Sequence, residues 1–244
     1  MTATRVHAVV IGVPSLLALS INGLTSNLQP LQQPLIDLSL ASAYPVPITG
    51  TVSLAFSPGG ANPMDDPSVQ FSTGGRSAAF TIPANATHAT FGAPQFAIQT
   101  GSVTGTITLS VVLLQAAGTS FDIPSGLTLT TTVPPGPPVI RSLSLVRNQN
   151  GFDLQLVGLS ATRELSNATV TFQPAPGATL ATPQVTLPLS DAAKAWFQNS
   201  GSGAFGGQFG LTLPFTFQGD VSLTSVSVVL SNGAGGSQAA SANY

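Results

Sequence analysis

The sequence predicts an all-β protein: two antiparallel β-sandwich domains in tandem, with one short helix in the second. Three observations carry that expectation. Short runs that alternate apolar with small polar residues recur along the whole chain, separated by Gly, Pro and Asn clusters. No helix-length periodic segment lies between them, as βαβ units would require. One proline-dense stretch, Pro134-Pro135-Gly136-Pro137-Pro138, divides the runs into two sets.

In the first set the runs fall at residues 17–21, 35–41, 49–57, 69–72, 78–82, 89–91, 96–99, 104–115 and 127–133. The clearest core strands are the third and the eighth. Val52, Leu54 and Phe56 alternate with Ser53, Ala55 and Ser57, and Ile107, Leu109 and Val111 alternate with Thr106, Thr108 and Ser110. Such a period of two buries one face and wets the other. The prolines at 134–138 cannot donate ladder hydrogen bonds and hold the backbone extended, so they read as a semi-rigid linker. The second set follows at 139–146, 152–159, 168–172, 184–187, 209–217 and 223–230. The expected division is a tail over 1–13, one sandwich over 14–133, the linker over 134–138 and a second sandwich over 139–244. The opening of the second, Pro138 through Leu143-Ser144-Leu145, echoes Pro14 through Leu17-Ala18-Leu19-Ser20 in the first.

The helix is expected after Ser190, a good N-cap, with Asp191 at the positive end of the dipole and Ala192 to Phe197 following. Asn199 and Gly201 can stop it. Trp196, the only tryptophan, is expected to plug an open end of the second sandwich.

The residues at 65–76, Asp65-Asp66-Pro67-Ser68-Val69-Gln70-Phe71-Ser72-Thr73-Gly74-Gly75-Arg76, followed by Phe80-Thr81-Ile82-Pro83-Ala84, resemble immunoglobulin-like and fibronectin-III-like repeats of large exported bacterial proteins. So do Thr162-Arg163-Glu164-Leu165 through Phe172, and the run from Trp196 to Asp220 with Phe205-Gly206-Gly207-Gln208-Phe209 and Pro214-Phe215. The resemblance spans both sets of strands and brings no catalytic motif. It implies spacers, stalks or adhesive units of longer secreted chains, extracellular or on the cell surface. The catalytic or anchoring domain usual beside such repeats does not figure in these 244 residues.

Composition narrows the function further. Charged residues make up 6% of the chain against roughly 25% in an ordinary soluble domain. With six basic residues and a net charge of −2, there is no stripe to neutralise phosphates, so nucleic acid is not an expected partner. Absent cysteines exclude thiolate metal sites, thiol nucleophiles and an inter-sheet disulfide. The apolar run at 8–21 is broken by Gly12, Pro14 and Ser15 and is too short to span a membrane. It could serve as a signal peptide, with Arg5 as charged flank and Ala18-Leu19-Ser20 as cleavage site. The alternation of Leu17, Leu19 and Ile21 favours a strand instead, with Asn22-Gly23 as its turn.

Catalytic patterns find little support. Gly201-Ser202-Gly203-Ala204-Phe205-Gly206 fits G-x-G-x-x-G with Asp220 beyond it. Dinucleotide binding needs a strand before those glycines and a helix after, and here the order is reversed. His7 and His88 are the only possible imidazole bases; His7 lies in the tail and no G-x-S-x-G elbow exists. Glu164, the only glutamate, is expected to pair with neighbouring Arg163 or to be exposed with it in a loop, and the seven aspartates sit mostly in turns. Asp65 and Asp66, with Asn62 on the same loop, are the candidate calcium ligands. Tyr44, expected in an exposed loop, and Trp196 are the candidate contacts for a ligand such as a surface polysaccharide or protein. The sequons at Asn85 and Asn167 carry meaning only in a eukaryotic secretory pathway. The expected function is non-enzymatic, without a cofactor: a spacer or adhesive module, with ligand binding or assembly into a fibre as alternatives. Edge strands with few lysines make self-association a further expectation.

Overall fold

The structure, a computed structural model, describes residues 18–123, 127–219 and 221–244. The predicted tail and most of the signal-peptide run lie outside them. Nine strands form the first sandwich: β1 (Leu19–Asn22), β2 (Asp37–Leu40), β3 (Ile48–Pro58), β4 (Val69–Phe71), β5 (Ser77–Ile82), β6 (Ile98–Thr100), β7 (Gly105–Ala116), β8 (Thr119–Ser120) and β9 (Thr128–Val133). The two strands with the cleanest alternation, β3 and β7, pair with each other. Val52 faces Val111, Leu54 faces Leu109 and Phe56 faces Ile107 across the antiparallel ladder. These cross-strand apolar pairs, almost all fully buried, are the unit that stabilises a sheet.

β5, β3, β7 and β8 are neighbours in that order, and β9 also pairs with β7. The opposite layer is broken into two ribbons, β1–β2 and β4–β6. Ile36 N–H to the Phe96 carbonyl at 2.8 Å and Ile98 N–H to that of Pro34 at 3.1 Å bridge the gap. Leu40 N–H to the Thr87 carbonyl and Ala89 N–H to that of Leu38, at 2.8 and 2.9 Å, tie β2 to the segment after β5. The run expected as a strand at 89–91 is reduced to isolated bridges, Ser39 with His88 and Thr81 with Thr90. Phe71, Phe96 and Phe91 stack between the layers at centroid distances of 4.9 and 3.9 Å.

The second sandwich comprises β10 (Val139–Asn148), β11 (Gly151–Leu159), β12 (Asn167–Pro174), β13 (Gln184–Pro188), α1 (Ser190–Phe197), β14 (Gln208–Thr216), β15 (Leu223–Asn232), β16 (Gly235–Gly236) and β17 (Ala240–Asn243). A three-stranded sheet, β10-β11-β14, faces a sheet ordered β13-β12-β15, with β16 and β17 both pairing β15. All pairings are antiparallel. Phe152 is fully buried at the centre, with the rings of Phe172, Phe215, Phe217 and Tyr244 at 5.2 to 6.3 Å.

The helix starts differently from the sequence expectation. Its N-cap is Leu189, without a side-chain cap, and Ser190 is already inside. Burial fixes α1 instead: Leu189, Ala193 and Phe197 recur every four residues, on one face, and all three are buried. Phe197 therefore takes the anchoring place expected for Trp196, which stays 37% exposed. A 3-10 turn, Ser200–Phe205, follows, with the Asn199 side chain accepting from Gly201 N–H at 2.8 Å. β17 was not foreseen, because Ala-Ser-Ala-Asn carries no large apolar residue to mark a strand.

Candidate functional site

The most heavily built polar cluster lies where the two sandwiches meet. Asp66, on the loop between β3 and β4, is 1% exposed. Its Oδ1 accepts from the backbone N–H and hydroxyl of Ser68, and its Oδ2 from the backbone N–H of Ser102 at 2.6 Å and the Ser102 hydroxyl at 2.8 Å. Arg163, on the turn after β11, is fully buried and sits at φ 55°. That left-handed conformation is uncommon for a non-glycine residue. It is closed by Arg163 N–H to the Ser160 carbonyl at 2.9 Å.

The Arg163 guanidinium is solvated by protein oxygens. Nε donates to the Asn62 carbonyl at 3.0 Å, one terminal nitrogen to the Gly206 carbonyl, and the other to the Phe197 carbonyl and the Ser202 hydroxyl. The Phe197 ring lies 5.1 Å beneath the cation. Asn62 returns the contact, its Nδ2 donating to the Arg163 carbonyl at 2.9 Å. Thr104 N–H to the Ala161 carbonyl, at 2.9 Å, and Gly207 N–H to the Ser102 hydroxyl, also at 2.9 Å, complete the seam. No buried side-chain nitrogen or oxygen among the described residues lacks a partner. A fully satisfied network of this kind rigidifies rather than strains.

Opposite charges thus face each other across the junction without an ion pair; the described ion pairs lie elsewhere. Burial alone would raise the Asp66 carboxyl, but the hydrogen bonds from Ser68 and Ser102 outweigh it and hold the carboxyl below the usual carboxylate range. Burial lowers the Arg163 guanidinium and the Asp66 charge pulls it partly back. Arginine starts so far above neutrality that it keeps its charge. Between them sits Gly206, at φ 58°. A Cβ there would lie 2.1 Å from the Ser102 hydroxyl and 2.8 Å from Asp66 Oδ2. Only glycine lets the chain pass this close.

The linker is tied into the same region. Asn232 Nδ2 donates to the Gly136 carbonyl at 2.9 Å and to the Thr162 hydroxyl at 3.0 Å. The sequence identified the prolines but not the junction. No local signal marked Arg163 for burial, because Glu164 directly beside it suggests a surface ion pair instead.

The sequence-predicted site residues are scattered. Asp65 pairs with Arg76 at 2.7 Å on the surface, while the Asp66 carboxylate turns inward to its serine donors. Asn62 Oδ1 accepts from Gln198 Nε2 at 3.1 Å. The three candidate calcium ligands are therefore each engaged by protein donors, and no group of three or more metal-ligating side chains occurs among the described residues. Tyr44, expected to be exposed, is 2% exposed and edge-on to Phe121 at 6.2 Å, because the proline-flanked loop folds its ring into the core. Trp196 is accessible. Its Nε1 donates to the Gln208 carbonyl at 3.1 Å, and its ring lies 5.9 Å from that of Phe205, which is 53% exposed.

Glu164 accepts from Gly233 N–H at 2.9 Å and does not pair with Arg163, which turns into the junction. His88 is exposed at a strand edge, its Nδ1 2.9 Å from Asp37 Oδ2, with no serine hydroxyl bonded to it among the described residues. The G-x-G-x-x-G run forms the 3-10 turn between α1 and β14, and its last glycine is the one at the junction.

Fold and junction together define an all-β protein of two antiparallel sandwiches joined through a buried polar seam. No family model matches the chain, and no curated protein matches it. Among solved structures it is similar to the calcium binding domain CBD12 of CALX1.1, at 8% identity and a TM-score of 0.33, over 88% of this chain and 79% of that one. CBD12 from CALX1.2 gives 8% and 0.32, over 87% and 78%. The class 5 fimbriae chaperone CfaA gives 10% and 0.29, over 90% and 96%. Scores this low leave the fold to rest on the strand pairing itself. No described helix is long and apolar enough to cross a membrane.

Proposed function

We propose that this chain is a stiff, non-catalytic tandem module, acting as a spacer or adhesive unit of an exported bacterial protein and joined in use to other domains of a longer chain. The observation that carries this reading is the burial of Arg163 and Asp66 on opposite sides of one junction. Two domains that merely share a linker have no need of a fully hydrogen-bonded charged seam. A module that must hold a fixed pose does, because each bond across the seam resists bending. The division into sandwiches over 14–133 and 139–244 belongs to this proposal. Small-angle X-ray scattering tests it: a rigid tandem gives one narrow size distribution that broadens in Arg163→Ala. A broad distribution in the unaltered chain would overturn it.

A second reading, a binding module for a surface polysaccharide or protein, rests on the exposed Trp196–Phe205 pair. Aromatic faces of this kind stack on sugar rings and fill partner pockets. Titrating soluble polysaccharides against Trp196 fluorescence tests it; no change across neutral and anionic glycans removes the polysaccharide form.

A further inference from the structure

The second sandwich is closed along one side and open along the other. On the closed side β10 packs beside β17. On the open side stand β13 and β14, the terminal strands of its two sheets, neither with a second strand partner among the described residues. α1 covers the part of this opening near Phe209, where Ala193 and Phe197 are buried. The rest is a cleft of about 600 Å³ between the sheets. Leu180, Val185, Leu187, Phe215, Phe217 and Val221 line it, all half-buried, and among the described residues no charged side chain does.

The free edges are restricted. Pro183 and Pro188 bracket β13 and Pro214 interrupts β14, each removing a backbone donor. β14 keeps every N–H from Gln208 to Leu213, but Phe209 to Leu211 lie against α1 and Pro214 stands at the cleft. The continuous donor-complete stretch beside the cleft is therefore Gln184 to Leu187. An added strand therefore has one short register, beside β13, with its side chains directed into the apolar cleft.

We propose that this cleft receives residues 6–13 of a second copy of the chain. Those residues, Val6-His7-Ala8-Val9-Val10-Ile11-Gly12-Val13, lie outside the described ones and include no Asp, Glu, Lys or Arg. An uncharged cleft needs an uncharged occupant, because a charge placed there would lose its water without a partner. In extended form Val9, Ile11 and Val13 fall on one face with His7 at the outer end of the row, and the three β-branched side chains suit a strand filling a gap between sheets. The 17 residues before Ala18 reach about 55 Å at roughly 3.3 Å each, enough to cross to a neighbour. Recognition would be β-strand addition: backbone hydrogen bonds to β13 supply affinity and the cleft supplies side-chain selectivity. Head-to-tail use of one segment and one cleft makes an open chain of copies. This is independent of the stiff-tandem reading, which scattering on the monomeric species tests separately.

Light scattering and sedimentation of the full chain, beside a chain lacking residues 1–13, test the proposal. The deletion leaves every described residue in place, and far-UV circular dichroism checks that it folds. Dimers and larger species that grow with concentration are expected for the full chain, and a single-chain mass for the shortened one. The chain has no cysteine, so mixing copies bearing Ile11→Cys with copies bearing Val185→Cys reports the contact directly. A mixed disulfide is expected there and not with Ala79→Cys, on the exposed face of β5. A full chain that stays monomeric, assembly that survives the deletion, or a disulfide that forms only within one doubly substituted copy would each overturn it.

Discussion

Arg163 and Asp66 are opposite charges buried on opposite sides of one junction, held apart by the Gly206 peptide rather than joined in an ion pair. The guanidinium is satisfied by carbonyls and the carboxylate by serine donors. Each charge is neutralised locally by dipoles and balanced at longer range by the other.

Removing the cation alone is the harshest test of that balance. Arg163→Ala deprives the Asn62, Phe197 and Gly206 carbonyls of their donor and leaves Asp66 buried without a countercharge. Breaking a buried charged network in this way costs about 3–5 kcal/mol. Arg163→Lys keeps the charge but replaces a planar fork by a single ammonium that cannot span the same acceptors. We expect it to fall between the two in urea unfolding. A loss under about 1 kcal/mol for the alanine variant would show that the seam contributes little.

Acid should weaken the junction from the other side. The folded-state value of the Asp66 carboxyl lies below its unfolded one. Its contribution is therefore complete above the ordinary carboxylate value of about 3.9 and is lost as pH falls through the folded value. Between the two the unfolded chain binds the extra proton, so stability rises with pH. In Asp66→Asn that part of the pH dependence disappears, and the variant is less stable at pH 7 because an amide nitrogen meets the Ser68 or Ser102 donors. Urea midpoints measured from pH 7 down to 3 check both statements. An unchanged acid limb in the variant would remove Asp66 from the account.

Much of the fold was legible because strands announce themselves by alternation: the rows centred on Leu54 and Leu109 proved to be partners. Where side chains are small the signal vanishes, as at β17, and where a loop is fixed by distant contacts it misleads, as at Tyr44. The junction was hardest to read. Asp66 and Arg163 are 97 positions apart, and their burial depends on how two finished sandwiches meet, which no local pattern encodes. The same holds for Trp196 and Phe197: adjacent aromatics look alike in sequence, and only the spacing from Leu189 and Ala193 selects the one that faces inward.

Gly206→Ala should cost far more than an ordinary glycine substitution. The position combines φ 58° with ψ −119°, a backbone region that costs a residue with a Cβ about 1–3 kcal/mol, with a methyl group 2.1 Å from the Ser102 hydroxyl. Gly210→Ala, on β14 with open space around its Cβ, is the control and should stay within about 0.5 kcal/mol of the parent. Thermal melts of the pair decide; equal effects would place the constraint elsewhere.

The junction also predicts how the two sandwiches unfold together. Trp196 is the only tryptophan, so its fluorescence follows the second sandwich, whereas far-UV circular dichroism follows both. If the seam couples them strongly, the two signals change at one urea concentration, as a single cooperative transition requires. Phe152→Ala opens the centre of the second core and should cost about 3–5 kcal/mol. In the otherwise unaltered chain, the loss should draw both signals down together, because the first sandwich loses its buried neighbour when the second opens. Combined with Arg163→Ala, the signals should separate: fluorescence moves further, while the remaining dichroism change stays near the midpoint of the first sandwich alone. That separation is non-additive, as expected of sites that communicate through one interface. Two transitions already resolved in the unaltered chain would mean that the seam positions the sandwiches without making them one folding unit.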